Sequence, residues 1–327
     1  MLNSVPVAAG TLDLVVAGRA FYDLVMSGVR PPEPGGEVFA DHLAVSAGGA
    51  ATRAVAAARL GLRTALVAVV GQDRFGDHLV ELLAAEPHLE TGWLQRHDQV
   101  RTAVTVALTD GHDRSFVTYE DPRIAAIEVT PLLPAVRACH VGLVEGVPDW
   151  MRALRGAGTF VVGGVGWDET GQWLPAVLDR LTDIDAFVPN EDEALRYTRA
   201  DDVRSATTLL AERVGLVCTT RGAAGALAVD AGTGERVEVS APEATVLDPT
   251  GAGDCFVAAF AAGRIAGLDL RTTVAFAVVS ASLSVARLGG ASSAPARDEV
   301  AGAVRQGLAQ GDLPAANWDD VLQLLEC

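Results

Sequence analysis

The sequence predicts an α/β fold built on a mostly parallel sheet covered by helices. Three observations carry that expectation. Residues 64–70 form an unbroken apolar run of strand length, as expected of a strand buried on both faces of a parallel sheet. From Cys139 onward, strand-like and helix-like stretches alternate at 139–144, 147–155, 159–163, 174–181 and 186–189, the pattern of successive βαβ units. The third is Asp248-Pro249-Thr250-Gly251-Ala252-Gly253-Asp254-Cys255-Phe256, a Gly-Ala-Gly turn that opens directly into the small-residue helix of 257–263. The first turn of a helix leaves N–H groups unpaired beside the positive end of the helix dipole, which makes an anion site. A carboxylate inside such a site, Asp254, suits removal of a proton from a hydroxyl that attacks a phosphate. A helix cap on an ordinary glycine turn is the plainer reading of the same residues.

Composition narrows the partners. Half of the 327 residues are hydrophobic, enough for one large α/β unit with a small appendage. A net charge of −17 and a pI near 4.7 argue against nucleic acid and anionic membranes, which need clustered positive charge. There is no lysine, so all 25 basic residues are arginine, which excludes a Schiff base and a Gly-x-x-x-x-Gly-Lys phosphate loop. Cys139, Cys218, Cys255 and Cys327 show no paired spacing for zinc or disulfides. No basic region precedes the apolar residues 12–16, and Arg264, Asp269 and Arg271 interrupt the apolar stretch 255–286, so a soluble, cytoplasmic protein is expected.

The stretch from Asp248 to Asp254 resembles the Asp-Thr-Thr-Gly-Ala-Gly-Asp signature of the ribokinase-like sugar kinases, the phosphofructokinase-B family, with Pro249 in place of the first Thr. The resemblance implies that Asp254 is the catalytic base and that the amides of Gly251, Ala252 and Gly253 form an anion hole. It covers about residues 12 to 300, with the motifs in the family's order.

In chain order, residues 12–18 read as a buried strand ending at a glycine. Asp23 follows where the family's sugar-binding aspartate stands, whereas Phe21 takes the place of its Asn. The turn-rich 31–38 leads into the family's β lid. Ser46-Ala47-Gly48-Gly49 is expected to open a helix that runs to Gly61; it resembles the first family signature and makes Gly48 and Thr52 sugar contacts, with Thr52 replacing an Asn. Gly71-Gln72-Asp73-Arg74-Phe75-Gly76 resembles a structural turn of the family. Residues 101–108 and 115–119 flank a turn at Asp110-Gly111-His112-Asp113 and read as a hairpin, beside which Arg114 is a solvated arginine or faces the sugar. Glu145 stands where ribokinase has a sugar-contacting glutamate. Gly166-Trp167-Asp168 departs from the Asn and Arg of acid-sugar kinases.

Asn190 and Glu193 stand three apart at a helix start, either as a capping box or as the family's Asn-x-x-Glu motif that organises Mg²⁺ through water. Thr220, Gly222 and Gly225 match a nucleotide-side segment, where Arg221 comes within reach of a phosphate. The apolar helix expected over 271–287 would wall the adenine pocket and, with Asp248, contribute to a monovalent cation site for an ion such as K⁺.

The reading is therefore a ribokinase-like three-layer α/β/α sandwich over 1–327, with a β lid from about 19–45 and 100–120. It would transfer phosphate from ATP, with Mg²⁺, to a hydroxyl of a small sugar or sugar-like substrate. Exposed lid edges would let two chains pair as a homodimer. Two other readings stay open: a nucleoside kinase, with Phe21 or Tyr22 beside the base, and a non-catalytic sugar-binding homologue, suggested by Phe21, Thr52 and Gly166.

Overall fold

The computed structural model describes residues 11–110, 114–126, 129, 131, 133–168 and 170–326. The chain begins with β1 (Leu12–Ala17), then passes through β2 (Ala20–Ser27) and β3 (His42–Gly49) into α1 (Ala50–Arg59). Next come β4 (Thr64–Gly71), α2 (Arg74–Ala84), β5 (Leu89–Glu90), β6 (Leu94–His97), β7 (Ala103–Thr109) and β8 (Arg114–Tyr119). The middle of the chain supplies β9 (Val136–Gly142), α3 (Asp149–Gly156), β10 (Phe160–Gly164), β11 (Ala186–Phe187), α4 (Glu191–Thr198), α5 (Val203–Ala211) and β12 (Leu216–Thr220). β13 (Ala226–Asp230) and β14 (Arg236–Val239) precede α6 (Ala252–Ala266), α7 (Leu270–Ser284), α8 (Gly290–Ser293), α9 (Arg297–Gln310) and α10 (Trp318–Glu326).

The central sheet runs β14-β13-β12-β11-β10-β9-β1-β4-β5, with β6 beside β4. All its pairings are parallel except those of β12 with β13 and β13 with β14. β1 shows why such strands read as apolar throughout: Leu14 and Val16 enter the core under α1, α6 and α7, whereas Val15 and Ala17 enter the core under α3, α4 and α5. Alanine fills α1, and Gly263 of α6 stands where a Cβ would come 3.0 Å from Thr273 of α7, so these helices pack closely. Among the described residues no helix is long and apolar enough to cross a membrane.

The lid is a second sheet of order β3-β2-β7-β8, with β2 and β7 parallel and the outer pairs antiparallel. The hairpin of β7 and β8 forms as expected; its turn residues 111–113 lie outside the described residues, as do Cys327 and the side chain of Arg114.

Three expectations about elements are corrected. Ser46–Gly49 belong to β3 and not to a helix, because β2 pairs with β3 along its whole length; the chain turns into α1 only at Gly49, whose φ of +64° is a backbone state open to glycine. The stretch expected as a helix at 174–181 is a 3₁₀ helix, Pro175–Asp183, in which Leu178 and Leu181 stand three apart and are both buried, the spacing that aligns on a threefold helix. α7 stops at Ser284 instead of running to Arg287, since the next carbonyl, Val285 O, accepts the amides of Leu247 (2.7 Å) and Asp248 (3.1 Å).

Candidate active site

The carboxyl ends of the parallel strands, where open α/β sheets take ligands, bring the signature together with the lid. Gly251 caps α6 with φ +83°, and a Cβ there would stand 3.0 Å from the backbone of Gly290, so the turn needs glycine both for its hand and for its contact with the segment after α7. Asp248 is fully buried and holds that arrangement: one oxygen accepts from Thr250 N (2.9 Å) and the other from Gly289 N (2.9 Å). Each carboxylate oxygen thus accepts one backbone amide.

Ala252 N donates to Pro249 O at 3.3 Å, whereas the amides of Gly251, Gly253 and Asp254 have no hydrogen-bond partner among the described residues. A side chain on Gly253 would meet nothing within 4 Å, so open space lies beside those amides. The free amides of Gly251, Gly253 and Asp254 lie at the positive end of the α6 dipole.

Asp254 reaches out of this turn toward α1. Its Oδ1 accepts from Arg53 Nε (2.8 Å) and lies 2.7 Å from Nη2 in the same ion pair, and Arg53 Nη1 lies 2.9 Å from Nδ1 of His140 on β9. His140 is buried, and burial together with the Arg53 charge holds its basicity well below the usual imidazole value, so the ring is neutral. Sequence reasoning passed over Arg53 and His140. A signal existed for Arg53, the one charge within the alanine run of α1.

From the lid, Asp23 of β2 faces the same centre. Burial and the nearby charge of Asp254 push its carboxyl up to about 7, against a hydrogen bond from Thr105. Gly48, diagonally across β3, leaves the space that carboxylate fills: a Cβ there would stand 2.3 Å from both of its oxygens. Strand alternation puts Phe21 on the face of Asp23 and Tyr22 on the other, where it bonds His78 (2.7 Å) and packs on Phe75. Tyr22 is thereby removed as an aromatic wall of the acceptor site, and Phe21 remains. Thr52 is buried and donates to Ala47 O (2.9 Å), so its hydroxyl supports the β3 turn and keeps its lone pairs as acceptors. Glu145 accepts from Arg19 Nη2 (2.5 Å), and Arg19 Nη1 binds Glu120 (2.6 Å) just past β8, so Arg19 ties the lid to the loop after β9.

On the nucleotide side the capping box forms in full, with Asn190 Oδ1 accepting from Glu193 N (2.8 Å) and Glu193 Oε2 from Asn190 N (2.9 Å). Burial pushes Glu193 up to about 7, although that backbone bond and the Arg53 charge oppose it. A bridge pairs Asn190 with Thr220, which brings the ends of β11 and β12 side by side. Gly222 faces open space, whereas Gly225 is structural, since a Cβ there would lie 2.0 Å from Val239 O. Arg221 binds Glu238 (2.9 Å) and Ala224 O (2.9 Å), which engages it away from a phosphate. Asp168 closes its own loop by accepting from Thr170 N (2.9 Å) and from Trp173 N. Asp73 caps α2 and accepts the amide and hydroxyl of Thr102, tying α2 to the lid strand β7.

Among the described residues no three His, Cys, Asp or Glu side chains are grouped to hold a metal ion. Glu193 and Asn190 fit Mg²⁺ only as partners of its water shell, consistent with a cation that keeps several waters and is shared with phosphate. Cavities of about 430 Å³ beside Arg137 and Arg264, and of about 350 Å³ beside Asp73 and Arg101, lie away from these residues.

The comparisons with known proteins give the class, an ATP-dependent kinase. The chain belongs to the pfkB family of carbohydrate kinases, whose family model, pfkB family carbohydrate kinase, matches residues 11–297. It is 29% identical over 309 residues to a ribokinase of Bacillus subtilis, covering 88% of this chain and 98% of that one. It is 28% identical over 282 residues to a nucleoside kinase of Methanothermobacter thermautotrophicus, covering 84% of this chain and 89% of that one. The structure of Arabidopsis thaliana ribokinase complexed with ribose and ATP superposes with a TM-score of 0.73 at 26% identity, over 89% of this chain and 98% of that one.

Proposed function

We propose that the protein phosphorylates a hydroxyl of a small sugar with ATP, using Asp254 as general base. The observation that carries this reading is the carboxylate of Asp254 in the first turn of α6, where the amides of Gly251, Gly253 and Asp254 have no partner among the described residues. The acceptor hydroxyl would give its proton to Asp254 as its oxygen bonds to the γ-phosphorus, and the bond to the β,γ-bridging oxygen would break with its electron pair leaving on ADP. The free amides then stabilise charge on the equatorial phosphoryl oxygens. Glu193 and Asn190 would hold Mg²⁺ through its water shell, and the ion would supply further neutralisation of the phosphates. Asp23, backed by Gly48, orients the acceptor hydroxyls, with Glu145 at the rim, and Thr220 and Gly222 border the nucleotide. Asp248, which accepts one amide on each oxygen, would contribute to a site for a monovalent cation such as K⁺.

The protein functions as one kinase unit over 1–327, the lid closing on the acceptor to exclude water. Leu43, Val117 and Tyr119 on the two outer lid strands are exposed, which supports pairing of two chains through their lids. A nucleoside acceptor has one observation in its favour, the Phe21 ring on the face of Asp23. ADP release measured with ATP and Mg²⁺ against a sugar panel and a nucleoside panel tests the reading. Turnover with a sugar supports it and turnover with nucleosides alone redirects it. Binding of a sugar without ADP release from any acceptor sinks it in favour of a non-catalytic binder.

A further inference from the structure

We propose that Arg53, held by His140, is a positioning residue that aims the base: it occupies Oδ1 of Asp254 and reserves Oδ2 for the acceptor proton. The hydrogen bond from Arg53 Nε at 2.8 Å and the ion-pair contact of Nη2 at 2.7 Å end on the same oxygen, and Oδ2 accepts no hydrogen bond among the described residues. The two side chains are only 21% and 22% exposed, so neither charge is well served by water and each holds the other in place.

The third nitrogen of the fork explains why this contact is more than a surface ion pair. Arg53 Nη1 lies 2.9 Å from Nδ1 of His140 and 3.2 Å from its Nε2. A neutral imidazole has one acceptor nitrogen, and the shorter distance assigns it to Nδ1. The ring is 2% exposed, and a Cβ on Gly164 would stand 3.1 Å from its Nε2, so the neighbouring strand β10 leaves the imidazole little room to turn. A rigid chain thus runs from the end of β9 through α1 to the first turn of α6, three elements far apart in sequence.

Charge explains the choice of residue type. The groups facing Asp254 are Arg53 from α1, Asp23 from the lid and Glu193 from α4, with His140 behind Arg53. One cation stands among three carboxylates. A planar guanidinium can bond an imidazole and a carboxylate at once along fixed directions, which an ammonium cannot.

This inference rests on the kinase reading, and its test has one arm that does not. Histidine NMR of the substrate-free protein follows the six histidines, with His140→Gln identifying the His140 resonance. In the wild type that resonance should stay neutral where free imidazoles titrate, near about 6.5. In Arg53→Gln its midpoint should rise, because a positive charge is lost beside the ring. An unchanged midpoint breaks the chain, whatever the acceptor panel yields.

The kinetic arm uses ATP with Mg²⁺ and the best acceptor of that panel. Arg53→Gln should lower kcat on the order of tenfold to a hundredfold, within the range of a misaligned general base, and leave KM for ATP unchanged. The acid limb of kcat/KM should move to higher pH, since the cation that favours the charged carboxylate is gone. Arg53→Lys should return the acid limb and only part of kcat. Unchanged kcat and acid limb in Arg53→Gln, or a rise confined to KM for ATP, would overturn the assignment. Absence of turnover with every acceptor counts against the kinase reading alone, and the NMR arm still decides the contact.

Discussion

A Cβ on Gly48 would stand 2.3 Å from both carboxylate oxygens of Asp23, so the lid carboxylate occupies space that only the missing side chain provides. Gly48→Ala should therefore displace Asp23 without touching the nucleotide side. Losing a charged hydrogen-bond partner costs on the order of 1–3 kcal/mol, so KM for the acceptor should rise about tenfold to a hundredfold while KM for ATP holds. Steady-state kinetics with each substrate varied in turn checks this split.

Asp23 also makes stability depend on pH. Its carboxyl is raised from 3.8 to about 7 in the folded chain, mainly by burial and then by the Asp254 charge. A raised carboxyl binds more protons folded than unfolded between those values, so its contribution is present below 3.8 and is lost as pH rises through about 7. Asp23→Asn should raise Tm at about pH 8 and leave it nearly unchanged at about pH 4, as read by calorimetry. An equal shift at both values would remove the titration as the cause.

Gly251→Ala tests the turn itself. Holding an L-residue at φ +83° costs about 1–2 kcal/mol, and the close approach to Gly290 adds to it. Unfolding should show a loss of about 1–3 kcal/mol, and titration calorimetry should show weaker ATP binding.

Glu193→Gln separates the cap from the metal. The amide oxygen of Gln can still accept from Asn190 N, so Tm should change little. The negative charge is gone, and the Mg²⁺ concentration for half-maximal activity should rise. Because burial raises Glu193 to about 7, the difference from wild type should be larger at about pH 8 than at about pH 6.

The parts legible in the sequence are those coded by neighbours. The Gly-Ala-Gly turn, Asp254 within it, the Asn190–Glu193 pair and the apolar strands all lie within a few residues of what defines them. What stayed hidden depends on juxtaposition. Arg53 and Asp254 are 201 positions apart and meet only because α1 packs beside α6. The bond from the Thr52 hydroxyl to Ala47 O likewise depends on the β3 turn. Asp248 shows the same limit, since its two amide donors come from its own loop and from Gly289, 41 positions on.

Asp254→Asn gives the most direct test of the central claim. The amide keeps the shape of the carboxylate and removes its capacity to take a proton, so kcat should fall at least about 10²- to 10⁴-fold while ATP and acceptor still bind. Turnover of Asp254→Asn within a few-fold of wild type, with the acceptor the panel identifies, would contradict the account.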